Sequence, residues 1–157
     1  MSRATFDHLV VAAERLADGV EHVADTLGVR PVPGGRHDHM NTHNAVLRLG
    51  ERSYIEVIAV DPDAGPPEAP RWFDLDGAET RALLAAGPRL LTWVARCDDL
   101  AGVREAVPWE AGPVRRMRRG SMTWRIAFPE DGHLVRAGLV PLLIEWDAGT
   151  PHPAGKL

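Results

Sequence analysis

Two carboxylates sit where hydrocarbon side chains would be expected. Glu56 interrupts SYIEVIAV (53–60), and Glu145 follows Leu142, Leu143 and Ile144 in LVPLLIEWD. An ionised carboxylate in such surroundings costs several kcal/mol unless a cation, hydrogen bonds or water compensate. Three compensations are open at this point: a metal cation, a wet ligand cleft, or arginine partners. Arg48 is the candidate partner for Glu56 and Arg125 for Glu145. For the first pair the register decides. An even-residue turn sends Arg48 to the other face, whereas a three-residue turn brings it onto the face of Glu56.

Histidines supply the other chemistry-bearing groups. His8 lies in TFDHLVVA, and His37, His39 and His43 cluster in GGRHDHMNTHN. H-x-H with a third histidine nearby raises a zinc site, but no cysteine accompanies it and such loop histidines are ordinarily solvated. His152 follows the Glu145 segment and can fold back over it. Cys97 is the single cysteine, so no internal disulfide forms. It reads as a strand-end residue, since no base adjoins it.

The elements that would position these groups alternate in a recognisable order. Residues 5–12 read as a strand. A helix follows, started by the D-x-x-E spacing of Asp18 and Glu21 and stopped at Gly28. Residues 31–43 read as loop or edge strand, and 43–50 with 53–60 as a hairpin. DPDAGPPEAP (61–70) is a linker, 71–76 a short helical turn, and 78–86 a helix. Then come a strand at 88–97, a helix at 98–107 capped by Asp98 or Asp99, and strands at 122–129 and 137–147 around an EDG turn. RRMRRG (115–120) reads as a solvated hairpin edge.

This order is a repeat. DHLVVAAERLADGVEHV answers LTWVARCDDLAGVREAV, and YIEVIAVD answers LLIEWDAG. His8 precedes Glu56 by 48 residues, and Thr92 precedes Glu145 by 53. The two acids therefore occupy corresponding places in two βαβββ modules. Module one spans about 4–62, a linker with short helices 63–87, and module two about 88–147; an irregular tail covers 148–157. Together they predict an α+β domain with a cupped, mostly antiparallel sheet around a cleft and the helices outside.

The net charge of −4 excludes the electrostatic footprint of a nucleic-acid or anionic-membrane binder. No segment has the apolar length of a membrane span or signal peptide, so the cytoplasm is the expected location.

The plan resembles the vicinal oxygen chelate superfamily, and the wording resembles its glyoxalase-like domain family. FDHLVVAAERL, LGVRPVPGGRH, THNAVLRLG, YIEVIAVDP, PRWFDLD, PRLLTWVARCDD and GLVPLLIEWDAGTPHP carry the likeness over nearly the whole chain. The resemblance implies a divalent metal (Zn, Mn, Ni, Co or Fe) held in the cup by His8, Glu56 and Glu145. Thr92 stands where metal-binding members have His, Gln or Glu. The metal would act as a Lewis acid, with Glu56, Glu145 or His43 moving a proton and Thr92, Trp93, Trp124, Arg125 and His152 facing the substrate. The implied activity is lyase or isomerase chemistry on a small oxygenated molecule. One histidine with two carboxylates tilts away from a dioxygenase. The competing reading is a metal-free protein that sequesters a small molecule, as resistance-type members do. A homodimer would fit an open sheet edge.

Overall fold

The computed structural model describes all residues, 1–157. β1 (Ala4–Ala12), α1 (Leu16–Leu27), β2 (Val32–His37), β3 (Thr42–Gly50) and β4 (Ser53–Val60) form module one. A 3-10 turn (Trp72–Asp74) and α2 (Ala78–Ala85) follow. Module two comprises β5 (Arg89–Cys97), α3 (Leu100–Ala106), β6 (Val114–Arg119), β7 (Met122–Ala127) and β8 (Leu142–Trp146). The eight strands make one curled sheet in the order β2-β3-β4-β1-β5-β8-β7-β6. Only β1–β4 and β5–β8 are parallel; β1 and β5 join the modules antiparallel. No helix is long and apolar enough to cross a membrane.

Strand alternation sorts side chains onto two faces. In module one Leu9, Val11, Ile55 and Val57 face outward, under Leu16, Val20 and Val23 of α1. That helix begins at Leu16 with no side-chain cap, so Asp18 falls in its first turn rather than at its start; it ends at Gly28 as expected. In module two Ala95, Cys97 and Leu143 face Leu100 and Val103 of α3, whose start is capped by Asp99.

The inner face is largely filled. Val10, Ile58, Val94, Trp124, Ile126, Phe128 and Ile144 pack there with Trp72 and Phe73, which the linker sends into the cup. Cys97 ends β5, and burial pushes its thiol up to about 11. The edges β2 and β6 also approach each other: Arg119, at the end of β6, reaches across to Asn44 and His37 of module one. The basic run is thus a strand whose last arginine enters the cup rather than a wholly solvated edge.

Candidate active site

The polar centre of the molecule lies inside module one. His8 on β1 and Tyr54 and Glu56 on β4 point into the cup beside His37 and Asn44, and all five are buried. Adjacent residues of a regular strand face opposite sides, yet Asp7 and His8 both turn inward. A shift in the β1–β5 register between Phe6 and His8 allows it.

Asp7 is fully buried and accepts four hydrogen bonds: from His8 Nδ1 at 2.7 Å, Arg96 Nη1 at 3.0 Å, His152 Nε2 at 3.0 Å and Trp146 Nε1 at 3.2 Å. Burial alone would raise its pKa. The hydrogen bonds from His152 and His8, with their charge, outweigh that and hold it below the ordinary carboxylate range. An ionised Asp7 can only accept, so the protons sit on His8 Nδ1 and His152 Nε2. His152 Nδ1 in turn accepts from Ala154 N.

This arrangement aims His8 Nε2 at Glu56 Oε1, 3.9 Å away, with Tyr54 stacked on the imidazole. That separation is too long for a direct hydrogen bond and leaves room for a shared atom. The other carboxylate oxygen, Oε2, accepts from Asn44 Nδ2 at 2.6 Å. Asn44 is itself fixed: its Oδ1 accepts from Arg119 Nη1 and Gly35 N, both at 3.0 Å. The PGG stretch makes that placement feasible, because a Cβ on Gly34 would collide with Asn44 Oδ1. His37 Nε2 lies 3.4 Å from Arg119 Nη1, an obligatory donor, and Nδ1 lies 3.1 Å from Thr42 Oγ1. Burial pushes the His37 pKa down to about 4, and Arg119 adds to the effect against the pull of Glu56. Burial and the charges of Glu56 and Asp7 raise that of Tyr54.

The pocket around these groups encloses about 20 Å³, space for roughly one water. Trp72, Phe73, Trp124, Trp146 and Pro153 wall it. The tail is therefore structural here, with Ala154 packed on Val46 and Tyr54.

The other sequence-selected residues lie elsewhere. Glu145 shares the outer face of β8 with Leu143; it pairs with Arg125 and accepts from Leu100 N at 2.6 Å. The inner positions of β8 are Leu142, Ile144 and Trp146. The structure thus does not bring Glu145 to His8 and Glu56, and the arginine alternative applies to it. Arg48 is exposed and bonds Gly50 O, so it is no partner of Glu56. His43 points away from the cup, on the face of β3 opposite to Thr42 and Asn44. Thr92 is buried on the inner face but donates to Gly138 O at 3.0 Å. Trp93 lies on the outer face and donates to Leu139 O. Trp124 and His152 are at the site, Trp124 in its wall and His152 on Asp7. Sequence reasoning missed Asp7, Asn44, Tyr54 and Arg119 and read His37 as a loop residue.

The family model described as a glyoxalase-like domain matches residues 6–157. The chain belongs to the glyoxalase-like domain family. No curated protein matches this glyoxalase-like chain significantly. Among solved structures, methylmalonyl-CoA epimerase from Mycobacterium tuberculosis superposes with a TM-score of 0.55 at 19% identity, covering 89% of this chain and 86% of that one. A single-residue variant of the Streptomyces coelicolor methylmalonyl-CoA epimerase, in complex with 2-nitronate-propionyl-CoA, gives 0.55 at 18%, covering 95% and 98%. A hypothetical protein from Staphylococcus aureus gives 0.61 at 16%, covering 99% of this chain and 64% of that one. At these identities the likeness establishes the fold alone.

The metal site implied by the family does not fit this donor set. Glu145 lies on the wrong face, and Thr92 is committed to a backbone carbonyl. His37 Nε2 is turned to a guanidinium, which leaves His8 Nε2 and Glu56 Oε1. Two donors fall short of the three or more that hold a divalent metal, and no three His, Cys, Asp or Glu side chains group as a metal site.

Proposed function

We propose that this glyoxalase-like protein is a proton-transferring isomerase or lyase for a small oxygenated substrate, with His8 and Glu56 as the proton carriers. The carrying observation is the 3.9 Å gap between His8 Nε2 and Glu56 Oε1, with Asp7 behind the imidazole. Asp7 holds His8 in the tautomer that leaves Nε2 facing the gap, and its charge stabilises the imidazolium formed when Nε2 takes a proton. Glu56 Oε1 makes no other hydrogen bond, while Asn44 anchors Oε2. A substrate C–H seated beside both atoms loses its proton to Glu56 Oε1; that proton passes to His8 Nε2, and the imidazolium so formed returns it to the resulting enolate at another face or position. Trp72 keeps a buried indole N–H without an acceptor on the pocket wall, a donor suited to the enolate oxygen. The isomerase class also agrees with the names of the epimerases sharing the fold, as a proposal for this chain.

We place the gate at the segment carrying His152 and Pro153, because Pro153 walls the closed pocket and His152 holds the tail on Asp7. The test is deuterium wash-in followed by NMR in D2O, using a panel of α-hydroxy ketones, 2-substituted carboxylic acids and acyl thioesters. The wild type should exchange a C–H of at least one compound. His8→Gln and Glu56→Gln should each lower that rate at least ~100-fold, the usual scale for losing an acid–base group, and Glu145→Gln should leave it unchanged. Equal exchange by all variants, or none by the wild type, overturns the proposal. Elemental analysis of tag-free protein should find no stoichiometric metal that His8→Ala removes.

A further inference from the structure

Beyond Trp146 the molecule carries a second, larger concavity. It encloses about 500 Å³, within the usual range for small-ligand sites. Arg3 before β1, Arg52 in the β3–β4 turn and Arg96 at the end of β5 line it, with Thr5, Asp98 and Glu145. We propose that this groove binds the oxyanion group, phosphate or carboxylate, of a small molecule.

The charge accounting favours an anion. Arg3 and Arg52 form no ion pair, in a chain whose net charge is −4. Arg96 uses Nη1 on Asp7 Oδ2 and Arg52 O, leaving Nε and Nη2 without a partner in the protein. Of the two acids in the groove, Glu145 is held by Arg125 and Leu100 N, whereas Asp98 accepts only from the backbone Arg3 N and keeps its charge, so Arg3 and Arg52 together still leave an excess of positive charge. Three arginines from three separate elements thus line one concavity, with the side chains of Arg3 and Arg52 in no ion pair and Nε and Nη2 of Arg96 without a protein partner. A planar fork matches the geometry of phosphate and carboxylate oxygens.

The groove also adjoins the active-site candidate. Trp146 lines both cavities, and Arg96 and Trp146 both donate to Asp7, which orients His8. An anionic handle seated on the arginines would place its ligand beside the gate and act through Arg96 on Asp7. Binding energy from such a remote group can be used to order the reacting end. This link to His8 rests on the proton-transfer reading; the groove itself does not.

Isothermal titration of the full chain with inorganic pyrophosphate and, separately, malonate tests the proposal and separates phosphate from carboxylate. At least one should bind with a submillimolar Kd that weakens as salt rises. The double variant Arg3→Glu/Arg52→Glu should lose at least ~10-fold in affinity, with Arg52→Gln as a milder second variant. Affinity unchanged in both variants, or no saturable binding of either probe, overturns the inference. Glu56→Gln should bind as the wild type does. Arginine-dependent binding without any deuterium exchange would leave the groove standing and remove the proton-transfer reading, and the reverse result would do the opposite.

Discussion

Module one and module two have the same strand order, yet only the first carries a polar centre. On the inner face of module one, β1 and β4 present His8, Tyr54 and Glu56. On the inner face of module two, β5 and β8 present Thr92, Val94, Leu142, Ile144 and Trp146. The acid of module two is displaced by a single residue from the inner set, and strand period two converts that step into a change of face. Glu145 is consequently a partly exposed partner of Arg125, and the inner space opposite is filled with indole and isoleucine. Two similar-looking acids in a repeat therefore have different work: one is held by Asn44 before a histidine, the other ties β8 to β7 and α3.

Breaking the hub of module one should have the largest effect. Asp7→Ala strands Arg96 and leaves two imidazoles without their acceptor, so urea unfolding should show a loss of about 3–5 kcal/mol. A loss under about 1 kcal/mol would mean that the hub is no more structural than a surface ion pair such as that of module two. Next comes acid sensitivity. Folding lowers the His37 pKa from 6.5 to about 4, so as pH falls the unfolded chain takes the proton first. This contribution to stability is complete above about pH 6.5 and falls by about 3 kcal/mol as pH drops through 4. His37→Asn should flatten that part of the stability–pH curve. Glu145→Ala should cost about 1 kcal/mol, because its pair with Arg125 is open to solvent and the acceptor for Leu100 N is lost. Arg48→Ala should fall within about 0.5 kcal/mol of the wild type, since it bonds only its own turn.

The modules, the hairpin of β3 and β4 and the position of α1 were readable because each segment has an apolar period of two or 3.6. The face of Glu145 was not, because LLIEW is apolar on both sides and the chain from β7 to β8 hides their register. β6 carries one apolar residue beyond its first position, Met117 among arginines, so it lacked a strand signature. His8 and Glu56 could be paired from the repeat. Asp7 could not be added to them, since alternation places neighbours on opposite faces and the register shift at residue 7 leaves no mark in the sequence. Arg119 enters from the far edge of the sheet, 75 residues from Asn44, and nothing local announces it.

Asp7 and His152 are separated by 145 positions, and Asp7 and Trp146 by 139. A ribosome has therefore released the first strand long before the residues that complete the hydrogen bonding of its buried acid exist. The scaffold of module one can collapse early, with Asp7 still wet or uncompensated, while the proposed reaction centre waits for the closing segment to dock. Refolding should accordingly show two phases: a fast gain of sheet signal and a slower quenching or enhancement of Trp146 emission as His152 and the indole reach Asp7 together.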